Sequence, residues 1–433
     1  MVDETHVNLR RLADWGYVFP VDDRGARYYG SLRGPDYMQL LRRRLHKLNV
    51  TLLDHSPALE LLVSDGIAVG ARGMDRRIGA GWTVRAGAVV IATGGCAFMS
   101  KALGTYGLTG DGLLMGAEAG AVLSGLEFSG QYGISHIAAT VTKNLLYSWA
   151  TFTDERGGEL AGEDIFELLA HHLPAGPVFA VIDKAEPHIQ EALRRGQPNI
   201  FLALDRQGID PFLDRFPVTL RYEGTVRGVG GLAIDRNGAT SVPGLYAAGD
   251  AASREAVVGA VSGGGGPNST WAIASGAWAG RWAADYAAGL GRRPHDRPAQ
   301  AGGEAGLSDG DSTASEEVAA WIATVQSEMF PLERNFTRDE IAMRSSMRRL
   351  NDAWSRIRAT AGSSEVGKSF CRRQEAAAMV ATARWIYASA LARRESRGIH
   401  RRRDHPTLDS AQSQRLETRG LDDIQVRPAV GAR

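Results

Sequence analysis

Two apolar segments that each run straight into glycine constrain this chain more than anything else in it: "AVVIATGG" at 88–95 and "GLYAAGDAA" at 244–252. A strand apolar on both faces, without the alternation of a half-exposed strand, belongs in a parallel sheet covered on both sides. Glycine directly after such a strand allows a tight turn. It also lets backbone approach a ligand, at the sheet edge where open α/β folds bind theirs. Together the segments look like two edges of one nucleotide site. They lie far apart in sequence, so a sheet containing both requires an insertion between them.

The remaining pattern fits an α/β class. Residues 36–48 place Leu40, Leu41, Leu45 and Leu48 at helical spacing behind Asp36 as N-cap. "ALELLVSDGIAVGARG" reads as a hairpin turning at Asp65-Gly66, and "GWTVRAG" adds a third strand. The small-residue run "GLLMGAEAGA" predicts a helix after "TGDG". From 124 to 222 the character changes to short mixed elements, with prolines at 174, 177, 187, 198, 211 and 217. The sheet pattern resumes at "GGLAIDRNGATSVPGLYAAGD" and leads into a helix after Ser269. A polar Gly/Pro/Ser/Asp linker at 290–315 precedes a helical pattern over 316–396 and an Arg-rich, mostly irregular tail over 397–433. The expected organisation is a nucleotide-binding domain in two segments, 1–123 and 222–289, with a capping domain inserted at 124–221. The linker and a C-terminal helical domain with its tail, 316–433, complete it.

Composition removes several function classes. With 50 Lys and Arg against 49 Asp and Glu, the net charge of +1 lacks the basic excess of a nucleic-acid binder. Two cysteines, Cys96 and Cys371, are too few for a disulfide framework or a Cys-rich metal or iron–sulfur site. The charged start, "MVDETHVNLRRLADWGYVF", has no apolar core of a signal peptide, so a reducing, cytoplasmic setting is expected. No membrane span is expected either: the Ala/Gly-rich 271–289 comes closest, and Arg281 and Asp285 interrupt it.

Four short motifs can carry chemistry. Asp250, in "LYAAGDAA", stands at the C-terminal edge of a strand, where it either accepts hydrogen bonds from sugar hydroxyls or caps the following turn. In "SGGGGPNSTWAIASGAWAG", four glycines precede Asn268, Ser269 and Thr270. Ser269 is a good N-cap, and a helix start presents free N–H groups to negative charge. "TGDG" repeats the device around Asp111, which alone reads equally as a capping residue. "GVGGLA" at 228–233 formally satisfies a dinucleotide fingerprint. It follows a charged segment and opens no helix, so it reads as a tight backbone turn.

The order of "IATGG", "TGDG", "LYAAGD" and "GGPNST", with an insertion after the second, resembles the FAD-dependent oxidoreductase 2 family. That family includes the fumarate reductase/succinate dehydrogenase flavoproteins and L-aspartate oxidase. The C-terminal "ARRESRGIHRRRDHP", 392–406, is similar to the Arg-Glu-Ser-Arg-Gly…His…Arg…Asp…Pro stretch of these flavoproteins. The resemblance implies a glutathione-reductase-like, Rossmann-type FAD domain, an inserted α+β capping domain and a C-terminal helical domain. It implies FAD as cofactor, with Asp250 at the ribityl or ribose hydroxyls and Asn268, Ser269 and Thr270 by the flavin ring. Thr93, Gly94, Gly95 and Asp111 complete the cradle. It further implies hydride transfer between flavin and a small anionic substrate, and an iron–sulfur electron-transfer partner subunit.

Two departures stand out against the resemblance. Family members open with a strand–GxGxxG–helix unit, which this chain lacks, leaving its FAD domain incomplete; the expectation is a truncated gene or a fingerprint carried on another chain. The alternative function is accordingly a non-catalytic subunit that binds no FAD alone. The dicarboxylate-binding residues are also replaced. Gly133 in "EFSGQYGIS" stands where the family has His before Pro-Thr, Arg227 where it has His before "TMGG", and Gly264 and Glu163 where it has arginines. Fumarate and succinate are therefore not the expected substrates. Arg227, an always-charged fork, and His136 in "GISHIAAT" are the candidate catalytic residues, against readings as a structural ion pair and a core histidine. The Arg cluster at 393–403 reads as an ion-paired surface or subunit contact.

Overall fold

The two glycine-ended segments meet. In the structure, a computed structural model that describes residues 1–21, 24–29, 32–262, 265–291, 299–303, 315–360 and 368–429, the strand Val89–Ile91 pairs in parallel with Leu245–Ala247. The Ala248 N–H continues the ladder by donating to Ile91 O at 2.9 Å, so both strands release their glycine turns at the same edge. Helix Gly265–Gly289 fixes the second turn: Trp271 Nε1 donates to Gly249 O at 2.8 Å, and the Gly249 N–H donates to Ser275 Oγ at 2.9 Å.

Beside this pair lies an antiparallel sheet of Ala58–Ser64, Ile67–Asp75 and Ala80–Arg85, the first two joined by a turn in which Asp65 and Gly66 both have positive φ. Its outer strand, Gln300–Ala301, comes from the segment expected to be a pure linker: Ala301 pairs with Leu62. The larger parts of that linker, 292–298 and 304–314, lie outside the described residues. A five-stranded sheet of Gln131–His136, Phe216–Gly224, Val178–Val181, Thr151–Thr153 and Glu159–Leu160 carries its own core, including Ile134, Phe152, Leu169, Phe201 and Phe216. Helices Ser315–Met329, Leu332–Asn335, Glu340–Ala359 and Lys368–Ala392 follow. Their Trp321, Leu350 and Trp385 share one apolar core with Ile91 and Leu113 of the nucleotide-binding part.

Three local expectations need correction or refinement. Asp36 is no N-cap, because the helix Gly34–Lys47 already starts at Gly34 with proline in its first turn. The tail is mostly irregular, yet it carries strands that the sequence pattern did not show. Leu416–Arg419 and Gln425–Pro428 form a hairpin that extends the sheet of Leu123–Ser124 and Gly231–Leu232, with Thr418 opposite Leu123. The arginine cluster is not only a surface: Arg394 and Arg403 are exposed, but others lie inside. Arg393 and Arg402 are buried, Arg393 Nη2 meeting Glu127 at 2.7 Å and Nη1 meeting Glu395 at 3.1 Å. Arg338, also buried, donates to His400 Nδ1 at 3.1 Å, so the His400 Nε2–H donates to Arg393 O at 3.2 Å. Burial holds that imidazole well below its ordinary range, and it is neutral. These arginines satisfy carbonyls that irregular chain would otherwise leave unpaired, which is why a charged motif lies inside the protein.

Candidate active site

The strand ends present open backbone. Ala92 and Thr93 are exposed just past Ile91, and Gly94 takes φ +75°. Gly95 is buried for a different reason: a Cβ there would lie 2.4 Å from Thr225 Oγ1, the atom that accepts the Cys96 N–H at 2.8 Å. The "ATGG" turn is therefore stitched to the loop that leads to Arg227. On the neighbouring turn, Gly249 takes φ +62°, with no atom within 4 Å of where a Cβ would stand. Asp250 follows, its side chain a quarter exposed.

Asp250 is tied to a buried cation. Arg254 Nη1 donates to Asp250 Oδ1 at 2.8 Å, and its other nitrogens donate to Gly228 O, with Nε at 2.7 Å. Burial raises the Asp250 carboxyl, while Arg254 and then Arg227 pull it down. Arg227 belongs to the next pair along. It meets the Glu223 carboxylate and donates to Thr142 Oγ1 at 2.9 Å, while Thr142 donates to Glu223 Oε1 at 2.6 Å. Glu223 is 1 % exposed and Arg227 32 %, so the carboxylate anchors a guanidinium that still reaches solvent. Lys143, exposed beside Thr142, lies within electrostatic reach of both. Burial first, then Arg227, pulls its ammonium below the usual range. The part built on the five-stranded sheet supplies Thr142 and Lys143, and the turn after Leu245–Ala247 supplies Asp250 and Arg254. The cluster thus lies where the two parts meet.

Gly133 explains part of this arrangement. It pairs with Arg221, and a Cβ on it would stand 2.5 Å from Thr142 Cβ and 3.1 Å from Glu223 Oε1. A histidine at this position has no room while Thr142 and Glu223 hold their places. Arg221 is engaged elsewhere, with Nη2 donating to Ile137 O and Ala139 O at 3.1 and 2.6 Å.

The other expected site residues separate. His136 lies on the strand face that carries Ile134 into the inserted core, opposite Gly133. Its ring centroid is 6.0 Å from that of Phe216, and burial lowers its pKa. This is the setting of a core histidine, apart from Arg227. Asp111 opens helix Asp111–Glu118 and meets Thr109 Oγ1. Its electrostatic neighbours are Glu375, Cys96 and Cys371, not those of Asp250, so the two carboxylates are not brought together. Ser269 is not an N-cap: its helix begins at Gly265, and Ser269 Oγ donates to Gly266 O at 3.0 Å inside the first turn. Thr270 accepts from Thr5 Oγ1 at 3.0 Å through its carbonyl. Asn268 buries Nδ2 and Oδ1 without a partner among the described residues, which marks it for a polar ligand. Glu163 is exposed before helix Ile165–His172, and Gly264 lies outside the described residues. The open Gly249 turn, the exposed Thr93 and the orphaned Asn268 amide fit the sugar and ring portion of FAD.

Glu223, Thr142, Lys143 and Arg254 escaped the sequence reading. Two left a trace, since Glu223 precedes Arg227 by four and Arg254 follows Asp250 by four, an opposite-charge spacing that repeats on both sides of "GVGG". Thr142 and Lys143 left none.

Comparison with known proteins agrees with this architecture. Residues 7–135 match the FAD binding domain family, and 337–420 match the family described as Fumarate reductase flavoprotein C-term. An L-aspartate oxidase of Mycobacterium tuberculosis is 28 % identical over 389 residues, covering 84 % of this chain and 67 % of the relative. A fumarate reductase flavoprotein subunit of the same organism is 28 % identical over 427 residues, covering 86 % and 70 %. Among solved structures, Mycobacterium smegmatis Sdh1 in complex with UQ1 superposes with a TM-score of 0.75 at 21 % identity, covering 99 % of this chain and 80 % of that one. Sequence and fold lead to one assignment: the chain belongs to the FAD-dependent oxidoreductase 2 family, that of the fumarate reductase flavoproteins and L-aspartate oxidases.

Proposed function

We propose that this FAD-dependent oxidoreductase acts on a small organic anion held between the inserted domain and the Asp250 turn. The observation that carries the reading is Arg227: a guanidinium about a third exposed, anchored through Glu223 and Thr142 and placed electrostatically beside Asp250. FAD, when bound, supplies the acceptor or donor of a hydride. The residues that would hold it are Asp250, Asn268, Ser269, Thr270 and the turn from Thr93 to Gly95, with the start of helix Gly265–Gly289 facing negative charge. Asp111 supports its helix start from the Thr109 side. Arg227 would bind the substrate anion, and Glu223 would hold Arg227 in one orientation. Succinate and fumarate fit poorly, because the tight contacts of Gly133 exclude the family's histidine.

An iron–sulfur partner subunit, implied by the family resemblance, belongs to the same reading; one relative is itself named a flavoprotein subunit, and co-purification tests the partner. Two free, buried cysteines suit a reducing compartment such as the cytoplasm, and no helix among the described residues is long and apolar enough to cross a membrane. The decisive experiment is anaerobic bleaching of the flavin absorbance by a panel of small organic acids, with wild type and Arg227→Met. Loss of bleaching in the variant, with flavin retained, supports the reading. Equal bleaching by both proteins refutes it, and a chain that holds no flavin under any condition returns the non-catalytic alternative.

A further inference from the structure

The charges around Arg227 do more than attract an anion; they set how many negative charges the site accepts. Among the described residues, Arg227 and Lys143 are its two cations facing solvent, and they come from different parts of the fold. Glu223, fully buried, lies against Arg227 and within electrostatic reach of Lys143; burial raises its carboxyl, while Arg227 and the hydrogen bonds it accepts from Thr142 and Arg227 on one oxygen pull it back towards the charged form. Asp250 and Arg254 cancel each other. Arg221 is committed to two carbonyls, and Gly133 leaves its strand no space for another side chain. Two cations and one fixed carboxylate leave a single net positive charge.

We propose that Glu223 makes this a site for a monoanionic substrate, such as a monocarboxylate with a neutral remainder, and excludes dianions. The inference rests on the anion-site reading above and deepens it. A second substrate carboxylate would face Glu223, whose charge already offsets one of the two cations, and like charges at close range repel strongly in a partly desolvated site. Lys143 is the second half of the device: its ammonium is offset by Glu223, and its removal leaves the site neutral.

The test compares butyrate with succinate, ligands of equal chain length that differ in one carboxylate, by titration calorimetry on the full chain with FAD present. Wild type is expected to bind butyrate more tightly than succinate. Glu223→Gln should shift the succinate-to-butyrate affinity ratio towards succinate by about tenfold. Lys143→Gln, an exposed change that leaves the fold intact, should weaken butyrate at least ~3-fold. Preference of wild type for succinate, an unchanged ratio in Glu223→Gln, or unchanged butyrate affinity in Lys143→Gln each overturns the proposal while leaving the anion site standing. Binding of neither ligand to any of the proteins overturns the anion site itself, and this inference with it.

Discussion

Replacing Asp250 with alanine should unfold the local site as well as empty it. A sugar-binding carboxylate at a strand edge would normally be a free acceptor, and its loss would cost affinity alone. Here Asp250 is also the counter-ion of Arg254, whose side chain is 2 % exposed. Removing one partner of a buried pair leaves an uncompensated charge, at a typical cost of about 3–5 kcal/mol. Two features reduce that figure: Arg254 keeps its hydrogen bonds to Gly228 O, and the Asp250 side chain is a quarter exposed. A loss of roughly 2 kcal/mol is therefore expected, which for a chain of this size lowers Tm by only about 2 °C. Urea unfolding at fixed, saturating FAD measures stability, and fluorescence titration of the same variants measures flavin affinity. Asp250→Asn should keep most of the stability, because its amide oxygen still accepts from Arg254. Arg254→Met in the Asp250→Ala background should restore part of it, as removal of the stranded charge requires. Unchanged stability in Asp250→Ala would refute the ion-pair argument. Additive losses in the double variant would refute the coupling.

Three further outcomes follow from the same contacts. Arg393→Leu strands Glu127 in the core and should destabilise by about 3–5 kcal/mol in chemical denaturation, far more than an exposed arginine would. Glu255 is pushed up to about 7 by burial and by Glu127, so it holds its proton in the folded chain at a pH where the unfolded chain has released it. Its stabilising contribution is complete below about pH 4.5 and is lost as pH rises through 7. Stability measured against pH should therefore fall across that window in wild type, and the fall should be smaller in Glu255→Gln. Gly133→Ala drives a methyl into Thr142 and the Glu223 carboxylate. It should cost about 1–3 kcal/mol and weaken anion binding, both read by calorimetry.

The strands and helices were legible where periodicity and glycine punctuation were strong. "AVVIATGG" and "GLYAAGDAA" pair in parallel as their pattern predicts, but as a two-stranded sheet that leaves Val90 exposed and is not covered on both faces. Ser269 misled because its capping chemistry is real, yet proline at 267 in the first turn lets the helix begin earlier, at Gly265. The arginine cluster misled more deeply. Composition says that arginines lie outside, and only the fold shows that irregular chain around 393–406 leaves carbonyls for them to satisfy inside. His136 lies on the strand face of Ile134, away from Gly133 and Thr142, a placement that depends on a register the sequence does not display. Glu223 and Thr142 become site residues only when the Gln131–His136 and Phe216–Gly224 strands bring Gly133 between them.

The buried charges also bear on why the C-terminal motif belongs with the flavin-binding part. Arg254 and Glu255 are adjacent in sequence but face different partners: Arg254 turns to Asp250 and Gly228, while Glu255 turns to Ser124, Glu127 and Arg393. Glu127 is held by Arg393, and Arg393 also binds the carbonyls of Gln412 and Gln414 just ahead of the closing hairpin. One short helix, Glu255–Val258, therefore lies between the site ion pair and the network that docks the C-terminal segment. A surface ion pair would transmit little, since solvent screens it. These groups are buried, where an unpaired charge costs several kcal/mol, so the docking of 393–419 and the setting of the Asp250 turn favour one another.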